Sequence, residues 1–407
     1  MLPLSWAVFL IIEQKRTEGQ GQICPAVFLT GRTAGRMMNK RSSGGAEMKR
    51  RTGSLLIAIL FLLICLAGCG PKQGADEGNT DDLPPAESET PGPSGENPLT
   101  GMPMEEEQEN ARPIAIMLNN LKAALPQQGN AQADIIYEVP AEGGITRMLA
   151  VYQNVKDVGT IGSIRSSRPY YLELALGHDA IYIHAGGSED AYEKIRAWNV
   201  DAFDSVRGPY LGKEPGSNMM WRDPERRKTM AYEHTVVTTG EAILQYLPEK
   251  TRTQHDQSYD YGQTFVDDGT PAGGQEAYGI TVPFSTYKTG TFTYDPDSGK
   301  YLVEEFGAPY VDGNTGEQVS VTNVLILKTA CNLTGDALGH ITVDLTGGEG
   351  YYACGGQYIP IRWSKAGRNA PIVYTTADGQ PLSLGRGTSY VNIIPREKTP
   401  SFMAETA

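Results

Sequence analysis

The sequence lacks the short motifs by which many enzymes are recognised. It contains no CxxC, HExxH, GxSxG or GxxxxGK[ST] pattern, so the common signatures of thiol redox enzymes, zinc proteases, α/β-hydrolases and P-loop proteins are missing. No three His, Asp or Glu residues have the spacing of metal ligands. We therefore expect no metal and no cofactor.

Cysteine and positive charge are also scarce. Five cysteines in 407 residues exclude a small fold held together by disulfides. The chain has 35 Lys and Arg against 48 Asp and Glu, a net charge of −13. A chain with this acidic balance is a poor general binder of nucleic acid, because duplex affinity comes largely from Lys and Arg that neutralise phosphates. A mean hydropathy of −0.35 is typical of a soluble globular protein and not of one with several membrane spans.

The N-terminal region carries the pattern of a lipoprotein signal. A basic segment at 48–51 precedes an apolar run at 55–66, whose 12 residues are short for a spanning helix but typical of a signal peptide. The run ends in Leu66-Ala67-Gly68-Cys69, the pattern of a bacterial lipobox. We expect a signal peptide at 48–68 and a lipid, palmitate included, on Cys69. The alternative is a short membrane anchor with an incidental cysteine.

Two further segments lie outside any folded domain. Residues 1–47 precede the signal, and we interpret them as the product of a start codon assigned too early, with the natural start at Met48. After the lipidated Cys69, the segment up to residue 111 is rich in Pro, Gly, Glu and Ser, and residues 70–111 hold 11 acidic side chains and one Lys. Such a composition predicts a disordered, solvated linker.

From residue 112 strand and helix patterns alternate. Strands are predicted at 113–118, 133–139, 145–152, 159–163 and 180–184. Helices are predicted at 169–176, after Ser188 and at 239–247. This mixture predicts an α/β or α+β domain over residues 112–250.

From about residue 279 the helical patterns disappear. Short strand patterns alternate with turn clusters at 295–299, 312–316, 346–350 and 377–380. The spacing predicts an antiparallel all-β domain over residues 279–398, a sandwich or a partly open barrel. The polar segment 251–278 reads as a linker or a long loop between the two domains.

Several segments resemble the YerB-like family of bacterial lipoproteins. They are NPLTG (97–101), RPIAIMLNN (112–120), ADIIYEVPAEGGITRMLAVY (133–152), IGSIRSSRPY (161–170), YIHAGGS (182–188), VPFS (282–285), NVLIL (323–327) and the last strand around residues 387–390. The resemblance covers roughly residues 97–396. It implies an α/β domain followed by a smaller β-rich domain, both of unknown function. Where such proteins tend to have a Pro-His-Asn motif, this chain has AYEHT at 231–235.

Charged and glycine residues collect at the predicted strand ends. Two arginines follow one strand, and a Gly-Gly-Ser loop that opens a helix offers free backbone N–H groups. Such a set suits a phosphate, a pyrophosphate or a carboxylate. The alternative is that Glu142, Arg147 and Arg165 form internal ion pairs. The candidate ligand-binding residues are Asp134, Glu142, Arg147, Arg165, Arg168, His184, Gly186, Gly187 and Ser188.

A weaker likeness concerns the LytR-CpsA-Psr phosphotransferases. Asp134 lies where that family has an Asp at a strand start, residues 165–168 keep its Arg-x-x-Arg spacing, and residues 184–195 resemble its later loop and helix. Ser166 stands where that family has an acid, so a magnesium-supporting carboxylate would be missing. The likeness implies, as the alternative function, an envelope enzyme of phosphoryl transfer or hydrolysis.

Cysteines and aromatics of the C-terminal half leave two questions open. Cys331 and Cys354 lie near predicted strand ends, where they form either a disulfide or two ordinary buried thiols. The aromatic side chains either line a glycan-stacking face or are half-buried in strands; they are Tyr351, Tyr352, Tyr358, Trp363 and Tyr390.

These observations predict a lipoprotein of the cell envelope, anchored on the outer face of the bacterial cytoplasmic membrane. We expect a ligand-binding or scaffolding protein with an anion-binding cleft in its α/β domain. The expected partners are the membrane, reached through the lipid, an envelope glycopolymer or another phosphorylated ligand, and a protein partner, but no nucleic acid.

Overall fold

The computed structural model describes residues 94–256 and 259–405. The predicted lipid-bearing Cys69, the signal peptide and most of the linker lie outside the described residues. The described residues belong to one compact unit. Among the described helices, none combines the length and the apolar composition needed to cross a membrane.

The N-terminal half alternates strands and helices, as its sequence pattern predicts. Its helices are α1 Glu106–Glu109, α2 Pro169–Gly177, α3 Glu189–Ala197, α4 Arg226–Thr229 and α5 Gly240–Tyr246. Its strands are β1 Gly95–Glu96, β2 Pro103–Met104, β3 Ile114–Asn120, β4 Ile135–Pro140, β5 Thr146–Tyr152, β6 Thr160–Gly162, β7 Ile181–His184, β8 Ala202–Asp204, β9 Trp221–Arg222 and β10 Val236–Thr239. Four 3₁₀ turns complete it: Lys122–Ala124, Asn130–Gln132, Glu142–Gly144 and Tyr232–His234.

The C-terminal half consists of strands, and no helix occurs in its described part from residue 279 to residue 405. The strands are β11 Phe265–Val266, β12 Gln275–Glu276, β13 Gly279–Pro283, β14 Thr289–Asp295, β15 Lys300–Glu305, β16 Ala308–Pro309, β17 Ser320–Val321, β18 Asn323–Thr329, β19 Cys331–Leu333, β20 Ile341–Val343, β21 Gly347–Cys354, β22 Gln357–Lys365, β23 Ile372–Thr376, β24 Leu384–Gly385, β25 Ser389–Pro395 and β26 Ser401–Met403.

The two halves share one large sheet of eleven strands. Its order is β12-β22-β21-β18-β25-β4-β5-β3-β7-β8, with β23 beside β22. The halves join where β25 pairs with β4, and this pairing is parallel, as is that of β18 with β25. The predicted all-β composition of the C-terminal domain agrees with its described part, but the predicted antiparallel arrangement differs from the structure in two respects. Two of its strands pair in parallel, and its sheet continues into the N-terminal half.

Both faces of the large sheet are covered, which explains why every residue of β3, β4 and β5 is buried. On one face, which we call the helix face, α2 packs with Tyr171 and Leu172 against a core that includes Leu149. On the other, which we call the sheet face, a second sheet of β13–β17 and β26 packs through side chains such as Phe292 and Val303. The C-terminal half thus covers one side of the N-terminal strands.

One predicted turn cluster, residues 346–350, belongs to a strand. β21 begins at Gly347 and lies between β18 and β22. A Cβ atom at Gly348 would lie 2.3 Å from the Lys328 carbonyl oxygen, and one at Gly350 would lie 2.4 Å from that of Ile326. These glycines therefore allow neighbouring backbones to approach closely, and they do not form a turn.

The cysteine question is also decided, because Cys331 and Cys354 are both free thiols. Cys354 follows Ala353, which pairs with Val324 at the start of β18, whereas Cys331 follows the end of β18 at Thr329. Val324 and Thr329 are five residues apart along β18, so the two cysteines lie about 17 Å apart along the strand, at ~3.3 Å per residue. A disulfide requires Cα atoms within ~7 Å, so the disulfide alternative is wrong.

The segment 251–278, predicted as a linker or long loop, is mostly irregular but contains β11 and β12. Its first part is held to the N-terminal half, since the Arg112 backbone N–H donates to the Thr253 carbonyl at 2.9 Å. Ala277, near its end, is fully buried. The segment therefore lies along the folded unit.

Candidate functional site

The parallel strands β3, β4 and β7 end at the same edge of the large sheet, and the segment after β6 crosses this edge. The Arg165 backbone N–H donates to Met117 of β3 at 2.9 Å, and the Ala185 N–H, just after β7, donates to the Arg165 carbonyl at 3.0 Å. The Arg165 segment and the end of β7 are therefore neighbours, the placement that an anion site shared by both would require.

Two guanidinium groups contact one carboxylate at this edge, and a third guanidinium, that of Arg165, lies nearby. Glu142 forms ion pairs with Arg147 at 3.0 Å and with Arg168. Although burial opposes ionisation of Glu142, Arg147 and Arg168 hold the pKa of its carboxyl below the usual value. We call Glu142, Arg147, Arg165 and Arg168 the arginine cluster. It carries more positive than negative charge.

Arg168 is buried and bridges Glu142 and the Ser167 carbonyl, a role that we call a clamp. Its side chain is 8% exposed, and besides Glu142 it donates to the Ser167 carbonyl at 2.6 Å. Arg147 is held in the same manner, since it donates to the Ser166 carbonyl at 2.9 Å. The sequence led us to expect Arg168 open toward an external anion. The structure instead commits it to Glu142, in line with the internal ion-pair alternative.

Of the three arginines, Arg165 forms the fewest side-chain hydrogen bonds within the described residues. Its Nη1 donates to the Glu233 carbonyl at 3.2 Å, while its Nε is buried and has no hydrogen-bond partner within the described residues. Burial and the neighbouring Arg147 lower the pKa of Arg165 to about 10. This guanidinium remains charged at neutral pH, but the charge is incompletely compensated.

Two histidines that the sequence reasoning did not place lie beside the arginine cluster. His340 Nε2 is 3.7 Å from a Glu142 oxygen, and its Nδ1 is 2.6 Å from Asp336. His234 Nδ1 is 2.8 Å from the Asn119 amide. Burial and Arg165 lower the pKa of His234. Because His340 belongs to the β19–β20 hairpin, about 200 residues further along the chain, no local pattern indicates its place here.

The Gly-Gly-Ser loop is held internally. His184 Nδ1 lies 2.8 Å from the Gly186 carbonyl oxygen, and burial lowers the pKa of its ring. The Gly186 N–H donates to Asp204 at 2.7 Å, and Ser188 accepts from Ala191 as the cap of α3. Gly187 pairs with Ser167 through a parallel bridge. The sequence reasoning missed Asp204, which organises this loop.

Asp134 lies at the opposite edge of the sheet. It precedes the first residue of β4, whereas Glu142 follows the last. Its carboxylate accepts from the Gln153 backbone N–H at 2.6 Å and from the Asn97 amide at 2.9 Å, and burial raises the pKa of Asp134 to about 6. The structure therefore does not bring Asp134 to the arginine cluster.

A second charged cluster lies between the two sheets and is closed to solvent. Lys288, 3% exposed, contacts Glu138 at 2.8 Å and also contacts Glu305. Tyr390 and Thr146 donate to Glu138 at 2.6 and 2.7 Å. We call Glu138, Lys288 and Glu305 the buried triad.

Burial and the neighbouring charges affect the pKa values of the two carboxyls of the buried triad in opposite directions. Burial and then Glu138 raise the pKa of Glu305 well above its usual value. Burial also opposes ionisation of Glu138, but Lys288 lowers the pKa of that carboxyl below its usual value. These directions favour the proton on Glu305 and the negative charge on Glu138, next to Lys288.

Comparisons with known proteins agree with this architecture. The N-terminal domain model of a family described as "Protein of unknown function (DUF3048)" matches residues 99–254, and the C-terminal domain model of that family matches residues 280–391. A protein of Bacillus subtilis described as "Putative lipoprotein YerB" is 29% identical over 307 residues, which is 73% of this chain and 86% of the relative.

A solved structure supports the same assignment. The crystal structure of the YerB protein from Bacillus subtilis superposes with a TM-score of 0.63 at 27% identity, covering 76% of this chain and 99% of that one. The two family models in their order, the relative and the shared fold agree with the motifs quoted above. The chain belongs to the YerB-like family, whose members carry the N- and C-terminal DUF3048 domains.

Proposed function

We propose that this protein is a lipid-anchored protein of the cell envelope that binds an anionic group, a phosphate or a carboxylate, at the arginine cluster. The observation that carries the proposal is the imbalance of charge there. Two guanidinium groups pair with Glu142, and Arg165 adds a third positive charge beside them that is opposed by Glu233. The buried Nε atoms of Arg165 and Arg147 have no hydrogen-bond partner among the described residues. Planar, bidentate donors of this type match phosphate and carboxylate oxygens.

The proposed ligand would be held mainly by Arg165. Arg147 and Arg168 supply positive potential but are already engaged by Glu142 and by backbone carbonyls. An added anion near Arg165 would relieve the mutual repulsion of the three cations, the repulsion that contributes to the lowered pKa of Arg165. Binding should therefore stabilise the folded protein.

The anchoring part of the proposal rests on the sequence around Cys69 and on the relative, whose description calls it a lipoprotein. Lipidation at Cys69 would place the folded unit on the outer face of the cytoplasmic membrane. The acidic linker would separate the two, because its carboxylates are repelled by anionic lipid headgroups.

Phosphoryl transfer, the alternative function, has weaker support. It needs a carboxylate beside the arginines to assist the transfer. Asp134, which the likeness to the phosphotransferases had suggested, lies at the other end of β4. Glu142, the carboxylate that is present, is held by Arg147 and Arg168. We therefore favour binding over catalysis.

The test is a titration of the purified protein with inorganic phosphate and pyrophosphate, followed by thermal shift and calorimetry. We expect anion-dependent stabilisation of the wild type and a loss of affinity of about 10- to 150-fold in Arg165→Ala, the range for hydrogen bonds to charged groups. Arg207→Ala is the matched control, because Arg207 is an exposed arginine paired with Glu189. No stabilisation of the wild type, or equal losses in both variants, would contradict the proposal.

A further inference from the structure

A groove of about 200 Å³ lies over β18, β21 and β22. It is lined by Lys328, Glu349, Tyr351, Pro360 and Arg362 among others. Tyr351 packs against the core on the sheet face, whereas Arg147 shares the helix face with Leu149, two residues further along β5. The groove and the arginine cluster thus belong to opposite faces of the large sheet, so the groove is a separate candidate site.

One residue that lines the groove is an aromatic side chain held in place by its neighbours. Tyr351 stands directly opposite Pro360 in the pairing of β21 with β22. Its ring centroid lies 5.2 Å from that of Phe402, which in turn stacks on Tyr358 at 3.6 Å. Packing of this type fixes the orientation of the Tyr351 ring before any ligand arrives, which lowers the entropic cost of binding.

The rim of the groove carries charged side chains without partners. Glu349 stands opposite Arg362, and Lys328 follows Leu327, the partner of Gly350. Opposite charges across strands commonly pair. Within residues 94–256 and 259–405, however, none of Lys328, Glu349 and Arg362 forms an ion pair or a side-chain hydrogen bond. Lys328 and Arg362 can therefore donate hydrogen bonds to a ligand and Glu349 can accept them, in a groove that Tyr351 also lines.

We propose that this groove binds an oligosaccharide, one or two sugar rings at a time. The C–H face of a sugar ring packs on the negative face of an aromatic ring, while its hydroxyl and carbonyl groups suit Glu349, Lys328 and Arg362. The volume is below the ~300–1,000 Å³ of pockets for drug-sized ligands, which fits one or two rings inserted from a longer chain.

The same features disfavour other occupants. A lipid chain would leave three charged side chains unpaired against hydrocarbon. A peptide strand would need free backbone groups at a sheet edge, whereas β21 pairs with strands on both sides. Nucleic acid conflicts with the net charge of −13.

The test is a titration of the purified protein with chitotetraose, a chain of N-acetylated sugars, and with cellotetraose, which has hydroxyl groups only. Calorimetry and saturation-transfer NMR report binding. We expect binding of at least one of the two, a reduction of affinity of about tenfold or more in Tyr351→Ala, and a smaller reduction in Arg362→Ala. Tyr287→Ala is the matched control, because Tyr287 is 82% exposed and lies outside the groove.

Two further variants keep the proposal open to refutation. Glu349→Gln changes only the rim and should also weaken binding, which provides a test even if Tyr351→Ala folds poorly. Arg165→Ala should leave sugar affinity unchanged, so failure of the anion site and failure of the groove are distinguishable. Absence of binding to both sugars, or binding that neither Tyr351→Ala nor Glu349→Gln weakens, would overturn the proposal.

Discussion

The arginine cluster and the buried triad differ in their balance of charged groups. The arginine cluster has more cations than carboxyls, whereas the buried triad has more carboxyls than cations. The arginine cluster, at a sheet edge, has two cations paired with Glu142 and a third, Arg165, close by. The buried triad has two carboxyls around Lys288, between two sheets. In the triad the raised pKa of Glu305 favours its protonated form, which reduces the buried net charge. A guanidinium does not release its proton at neutral pH, so the arginine cluster cannot lower its net charge by a change of protonation.

The difference shows why one cluster is a candidate binding site and the other is not. The triad is complete by itself, since its charges are matched and its carboxylate is hydrogen-bonded. The four residues of the arginine cluster carry an excess of positive charge, which the proposed anion would compensate. Charged residues in a sequence therefore indicate function only where the fold leaves them uncompensated.

The largest effect should come from removing the cation of the buried triad. Lys288→Met removes the counter-charge that keeps Glu138 ionised, and breaking a buried pair costs about 3–5 kcal/mol. Urea denaturation should show a loss of this size in the free energy of unfolding. Lys300→Met, at an exposed position of β15, should change it by less than about 0.5 kcal/mol. Equal effects would mean that the triad is not a structural unit.

The next effect separates the two carboxyls of the triad. Because the pKa of Glu305 is raised in the folded state, its contribution to stability is full at low pH and is lost as pH rises above the usual glutamate range. Glu305→Gln mimics the protonated form, so it should remove this decline and leave stability at pH 8 equal to or above that of the wild type.

Glu138→Gln should behave in the opposite way. The pKa of Glu138 is lowered, so its ionised form contributes stability above its usual pKa, and this contribution is lost as pH falls through the folded-state value. The variant should cost about 1–3 kcal/mol at pH 8. Denaturation curves between pH 4 and pH 9 check both variants. A parallel loss in the two would refute the assignment of the proton to Glu305.

A smaller effect should follow from removing the only carboxylate of the arginine cluster itself. Glu142→Gln deprives Arg147 and Arg168 of their counter-charge, which should cost about 1–3 kcal/mol. Added phosphate should restore more stability in this variant than in the wild type, because the anion replaces the carboxylate. Glu189→Gln, an exposed partner of Arg207, is the control. No difference in the phosphate response would argue against an anion site here.

The smallest effect distinguishes the clamp from the open arginine. Arg168→Ala should lower the free energy of unfolding by about 1–2 kcal/mol, since it removes hydrogen bonds from a buried charged pair. Arg165→Ala should change it by less than about 0.5 kcal/mol while weakening anion binding. Thermal melts with and without phosphate measure both quantities. If Arg165→Ala were the more destabilising of the two, Arg165 would be the structural residue and Arg168 the candidate for anion binding.

Much of the local structure could be predicted from the sequence. The apolar runs at 114–118 and 135–139 are strands, and Pro169 and Ser188 begin helices where their residue types indicate. The glycines at 347–350 misled the prediction, because a glycine that permits a turn also permits a close backbone approach. Composition alone does not distinguish these uses.

The candidate site was predictable only as a list of residues. Glu142, Arg147, Arg165 and Arg168 do meet at one edge, because parallel strand ends gather there. Which arginine is free depends on hydrogen bonds to carbonyls, and sequence spacing carries no information about these. His340 was not predictable at all, since it reaches Glu142 from a hairpin of the other half.

The sequence by itself determined the family, the order of strands and helices, and the residue types available for chemistry, because these depend on local propensity and on motifs. The tertiary structure alone decided that both halves share one sheet through β25 and β4, that Cys331 and Cys354 remain apart, and that Arg168 is a clamp. The physical reason is that strand pairing and charge compensation join residues far apart in the chain. Their free energies depend on distance and burial, which only the folded chain defines.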